Sequence, residues 1–147
     1  MKKVIGLGLL LVGCRGSMGP KQAPAPGAPG AASPSAAVTA FLDGVKAGDL
    51  QAISAVWGTT SGSIRNDISE PDLSKREIYI ISCTKHDAFK INNEVPGPAG
   101  ERVLAVDLTR GALTRSTNFH VVMGPQNRWY VLNLEVTPTL DDICKAR

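Results

Sequence analysis

Residues 102–136 read RVLAVDLTRGALTRSTNFHVVMGPQNRWYVLNLEV, and the alternation inside this stretch sets the fold. Leu104, Val106 and Leu108 alternate with Val103, Ala105 and Asp107. Phe119, Val121 and Met123 alternate with Asn118, His120 and Val122. Tyr130, Leu132, Leu134 and Val136 alternate with Trp129, Val131, Asn133 and Glu135. Neighbouring side chains of a strand point to opposite faces, so a period of two predicts strands with one buried face. Turns around Gly111 and at Gly124-Pro125-Gln126-Asn127 separate them. Upstream, Asp87, Phe89 and Ile91 alternate with Ala88, Lys90 and Asn92, followed by the turn Pro96-Gly97-Pro98-Ala99-Gly100. The expectation is a meander of four antiparallel strands.

Working outward, the pattern changes from two to 3.6. Val38, Phe41, Leu42 and Val45 form one stripe of a helix that Ser35 can cap. Gly44 weakens that helix by about 1 kcal/mol. Gly48 suits its C-terminal turn, and Asp49 can cap a second helix carrying Leu50, Ile53, Val56 and Trp57, which Gly58 ends. Residues 59–69 are polar and loop-like. Residues 71–83, PDLSKREIYIISC, place Pro in a first turn and predict a third helix, although Ile78 to Ile81 alone would also suit a strand. Helices followed by an antiparallel sheet give an α+β fold, N-terminal helices packed on one face of a curved, mostly four-stranded sheet.

The run AAVTAFLDGVKAGDLQAISAVWG at residues 36–58 and the closing GPQNRWYVLNLEV at residues 124–136 resemble nuclear-transport-factor-2-like (cystatin-like α+β cone) domains. The resemblance spans about residues 36–140 and rests on a helix ending at a Gly-Asp step and on the pattern of the last hairpin. It implies a cone with a pocket between sheet and helices. Enzymes of this type, isomerases and cyclases, place a carboxylate base and Tyr or Asp donors there. The candidates are Tyr79, Asp107, Tyr130 and Glu135; none matches a catalytic motif of the family. Beside Val103 and Ala105, Asp107 in a partly apolar wall would have a raised pKa, whereas the alternation favours a surface carboxylate.

The N-terminus carries a different signal. Met1-Lys2-Lys3 precedes ten apolar residues, Val4 to Gly13, and the stretch ends Leu11-Val12-Gly13-Cys14. A ten-residue helix spans roughly 15 Å, half of a ~30 Å bilayer core, so this is a signal segment rather than a membrane span. Leu11-Val12-Gly13-Cys14 resembles the lipobox of bacterial prolipoproteins. That resemblance implies cleavage after residue 13, lipid (palmitate-type acyl chains with diacylglycerol) on Cys14, and residence in the cell envelope, periplasm-facing, on the outer or the cytoplasmic membrane. Residues 14–35 then read as a tether, with five of the chain's ten prolines between 17 and 35; at ~3.1 Å per residue it reaches at most about 60 Å. The domain is expected over residues 36–147.

With Cys14 lipidated, Cys83 and Cys144 remain, and an oxidising compartment allows them to pair. Closing a loop of about 60 residues would contribute roughly 4 kcal/mol. The alternative is two buried thiols.

The chain has 16 basic and 13 acidic residues. From residue 36 onward the balance is 12 against 13, so the basic excess sits in the leader and tether and no nucleic-acid surface is expected. His86 and His120 fall in polar phases and are expected exposed; neither has metal-ligand spacing, and no phosphate loop occurs. No metal or cofactor is expected. Trp129 and Val131, opposite the Tyr130 phase, suggest either a covering element or an open face for a homodimer or envelope partner. The functional expectation is a membrane-tethered, non-catalytic domain that binds a small molecule or a protein. The alternative is a pocket enzyme of the isomerase or cyclase type.

Overall fold

Ser33 rather than Ser35 caps the first helix, accepting a hydrogen bond from the Ala36 amide at 3.2 Å. Pro34 can then occupy the first helical position, where its missing N–H costs nothing. In the computed structural model, which describes residues 28–135, helix α1 runs Pro34–Ala47 and α2 runs Leu50–Val56. Gly48 closes α1 in the left-handed region at φ 66°, and Asp49 caps α2 through the Ala52 amide at 3.0 Å. The stripe Val38, Phe41, Leu42 and Val45 is fully in the core. Gly44 costs α1 helix propensity but lets α2 come close, because a Cβ there would lie 3.0 Å from the Ile53 side chain.

The polar stretch after α2 is more ordered than expected. Gly58–Thr59 (β1) pairs with Gly62–Ser63 (β2), and a 3-10 turn covers Ile64–Asn66. Helix α3 spans Glu70–Thr84, which settles the ambiguity at Ile78 to Ile81 in favour of helix.

Four strands follow: β3 (Ala88–Pro96), β4 (Arg102–Arg110), β5 (Leu113–Met123) and β6 (Trp129–Leu134), in that order across one antiparallel sheet. The fold is α+β, with three helices packed on this sheet. Leu104, Val106, Leu108, Phe119 and Val121 face the helices as the alternation predicts. The rings of Phe41 and Phe119 meet edge to face at 5.9 Å.

Two register shifts bend the sheet, one between Ile91 and Asn93 against β4, the other where His120 and Val121 face Asn133 and Val131. The second corrects the phase expected for β6. Leu132 is the extra residue, so Val131 and Leu134 both reach the core, and Tyr130 turns away from it. Tyr130 instead packs where Gly30, Gly58 and Gly124 approach; a Cβ at any of these would lie within 2.9 Å of its ring.

The boundary expected between residues 35 and 36 also moves. Ala31 forms an antiparallel bridge to Trp129, and Gly30 donates to the Ala55 carbonyl at 2.7 Å. The Arg128 guanidinium holds the carbonyls of Ala28, Pro29 and Gly30. The domain therefore takes in the last residues of the expected tether, which cover an edge that would otherwise expose unpaired backbone groups. The signal segment 1–13, Cys14, residues 15–27 of the tether, Val136 and Cys144 lie outside the described residues.

Candidate functional site

Helix α3 meets the rest of the domain through a narrow stripe. Leu73, Glu77, Cys83 and Thr84 are buried, while Ile78 and Tyr79 are 57% and 62% exposed. Between α3, α1 and β6 lies a cavity of about 190 Å³. Phe41 and Trp57 form one wall, Tyr79, Ile80, Cys83 and Thr84 the second, and Val131, Asn133 and Leu134 the third. A shallower groove continues along α3 past Trp57, Lys75, Arg76 and Tyr79. No carboxylate or histidine among the described residues lines the cavity. It therefore offers mainly apolar contact, with Tyr79, Thr84 and Asn133 as the lining residues that carry neutral polar groups.

Of the four residues expected to share a pocket, only Tyr79 reaches this one. Tyr130 is buried in its glycine surround. Asp107 and Glu135 lie on the opposite, helix-free face of the sheet. There the Ser116 hydroxyl donates to Asp107 Oδ1, and this bond, with one from Asn92 and the nearby Lys90 charge, lowers the Asp107 pKa. Hydrogen bonds stabilise the ionised form more than burial disfavours it. A raised pKa in an apolar wall is thereby overturned.

Glu135 belongs to a second cluster on that face. His120 Nδ1 lies 2.7 Å from Glu101 Oε2, and its Nε2 lies 3.2 Å from Glu135 Oε1. Asn118 donates to the other Glu135 oxygen at 3.0 Å. Ionised carboxylates only accept, so the ring meets both when it carries both protons. The bond to Glu101 raises the His120 pKa, and the bond to His120 lowers that of Glu135. With both nitrogens engaged, the imidazole has no lone pair to act as a base.

His86, expected exposed, is 4% exposed. Its Nδ1 donates to the Thr84 carbonyl at 2.8 Å, and its ring meets Phe89 edge to face at 5.6 Å. Val131, expected as an interface residue, is 1% exposed and bridges to Trp57, and Trp129 is partly buried beneath the Ala31 bridge. A covering element, not an open face, accounts for both.

Sequence reasoning missed Glu77 and Glu101. Glu77 is 2% exposed, and desolvation raises its pKa against the lowering effects of Ser54 and Arg65. Arg65 Nε donates to Ser54 Oγ at 2.6 Å, tying the 3-10 turn to α2. The signal for Glu77 was its place on the stripe Leu73, Glu77, Ile80, Thr84. Glu101 gives none, since it stands in a turn and its partner, His120, comes from a strand 19 residues on.

Among the described residues no group of three or more His, Cys, Asp or Glu could hold a metal ion, and no helix is long and apolar enough to cross a membrane. Comparison with protein-family models, with curated proteins and with solved structures finds no significant match for the chain.

Proposed function

We propose that the chain is an exported lipoprotein held in the cell envelope by lipid on Cys14. In this reading its cone-like α+β domain is a non-catalytic module that seats an apolar segment of a protein partner against α3. The observation that carries the binding half is the cavity itself. At about 190 Å³ it is smaller than the ~300–1,000 Å³ usual for small-molecule sites, which suits one or two inserted side chains better than a whole ligand. Tyr79, exposed on the same helix, extends the contact from the cavity into the groove past Trp57.

The anchor half rests on Lys2-Lys3, the ten apolar residues and Leu11-Val12-Gly13-Cys14. The isomerase or cyclase alternative needs an acid or base facing the cavity, and the carboxylates offered for that role, Asp107 and Glu135, point the other way.

The test has two arms. Metabolic labelling with palmitate should tag the chain and lose the tag in Cys14→Ser; persistent labelling of that variant removes the anchor. A photo-crosslinking phenylalanine in place of Tyr79, expressed in the native envelope, should give a defined heteromeric adduct that the same probe in place of Asp107 does not. Equal adducts from both positions, or a product of twice the chain mass, would remove the proposed partner site.

A further inference from the structure

The seat beside α3 has a charge character that names the kind of segment it takes, and this inference rests on the reading of the cavity as a peptide seat. We propose that the partner segment is acidic: an apolar side chain enters the cavity, and a carboxylate near it pairs with Arg76 and Lys75 in the adjoining groove. Trp57, Lys75, Arg76, Tyr79 and Ile80 line that groove, and no acid among the described residues lines it. Trp57, Tyr79 and Ile80 line the cavity as well, so one segment can touch both.

Both bases are open to solvent. Lys75 meets Asp72 at 3.6 Å, with both side chains largely exposed. An open pair of this kind is worth little and exchanges readily for an incoming carboxylate. Arg76 carries the planar fork that holds a carboxylate through two parallel bonds. Trp, Tyr and Arg are also the side chains that dominate binding energy at protein interfaces, and this groove has one of each.

Spacing fixes how the two contacts are joined. On α3 the cavity residues run from Tyr79 to Thr84, and the bases precede Tyr79 by three and four positions. The bases therefore lie roughly 9 Å along the axis from the middle of the cavity. An extended segment covers that distance in about three residues. A continuous anionic surface, such as a membrane of acidic lipids, suits the place less. Glu70 and Asp72 occupy the first turn of α3 and would repel it. One or two carboxylates at Arg76 stand about one to two helical turns from those acids.

Random peptides displayed on phage and selected on the detergent-solubilised full chain test the preference directly. Selected sequences should carry Asp or Glu within about three residues of a bulky apolar residue. A synthetic peptide of selected sequence, followed by fluorescence anisotropy, should bind roughly tenfold or more weakly to the doubly reversed Lys75→Glu, Arg76→Glu chain. Its affinity should also fall between about 0.05 M and about 0.5 M salt. Lys90→Glu, on the opposite face of the sheet, should leave it unchanged. Selected peptides without acidic residues, no enriched peptide, or an affinity indifferent to the double reversal would overturn the proposal. So would displacement of the peptide by mixed micelles of phosphatidylglycerol and not by those of phosphatidylcholine, which would assign the bases to lipid headgroups. A heteromeric adduct from position 79 with no acidic peptide selected sinks the charge preference and keeps the partner. Acidic peptides that bind through Arg76 without any heteromeric adduct in the envelope keep the preference and sink the native partner alone.

Discussion

Ala31 and Trp129 exchange both of their backbone hydrogen bonds, each 2.8 Å long, across 98 residues of chain. This pair fastens the N-terminal approach to the sheet. It depends on Gly30, whose φ of +75° turns the chain and whose missing side chain leaves room for Tyr130.

Gly30→Ala should destabilise the domain by about 2–4 kcal/mol, combining left-handed strain of roughly 1–2 kcal/mol with overpacking of roughly 1–3 kcal/mol. A Cβ at Gly30 would lie 2.7 Å from both Arg128 Cβ and the Tyr130 ring. Gly100→Ala is the control. Its φ is +83° but nothing lies within 4 Å, so only the strain should appear. Urea unfolding of the two variants measures the difference, and equal losses would mean that the Tyr130 contact does not constrain Gly30.

The histidine between two carboxylates should make stability depend on pH in a defined window. His120 titrates above its ordinary 6.5, so its contribution is complete below 6.5 and fades as pH rises through the raised value. Glu135 titrates below its ordinary 4.5, so its contribution is complete above 4.5 and fades as pH falls through the lowered value. Both operate together between 4.5 and 6.5. The pairs are partly open to solvent, so His120→Gln should cost about 0.5–1 kcal/mol at pH 5.5 and less at pH 8.5. Denaturant midpoints at the two values check this; an equal cost at both would refute the ion-pair account.

Glu77 has the opposite sign for an acid. Its raised pKa means that the folded domain holds the proton more tightly than the unfolded chain. Stability therefore declines as pH rises from 4.5 through the raised value and stays lower above it. In Glu77→Gln that decline should vanish, so the variant gains on the wild type between pH 4 and pH 7.5. Thermal unfolding across that range reads the slope, and a constant difference would show Glu77 titrating like an exposed carboxylate.

Phe119→Ala should cost about 3–5 kcal/mol, because the ring is fully buried against Phe41 and its loss leaves a cavity. Asp107→Ala, on the open face, should fall within about 1 kcal/mol of the wild type. Guanidinium titration distinguishes them, and a large loss at Asp107 would make its bond with Ser116 a structural tie rather than a surface contact.

The strands and turns were legible because alternation and Gly-Pro punctuation are local. Leu104, Val106 and Leu108 needed no partner to be placed on the inner face. The phase of β6 was not legible, because a bulge at Leu132 is set by pairing with β5 and leaves the composition unchanged. That single extra residue moved Tyr130 off the core and Val131 into it, and with them one pocket residue and one interface residue. Ser33 and Ser35 can both cap, and Pro34, which suits the first helical position, was the local signal for Ser33 that the sequence reading passed over. The cavity was invisible for the same kind of reason as the β6 bulge. Tyr79, Trp57 and Leu134 become neighbours only when α3 lies across the sheet.

Arg128 holds the carbonyls of Ala28, Pro29 and Gly30 just ahead of the Ala31–Trp129 pair. A pull from the N-terminal side therefore meets the guanidinium clamp first and the paired strand edge next. The force enters the sheet at β6 before it can bear on Ser33 or unwind the first turn of α1. Were the chain loaded from its N-terminus, the strain would fall on three side-chain bonds from Arg128 and the two backbone bonds of the Ala31–Trp129 pair, the last of which holds a residue of the core.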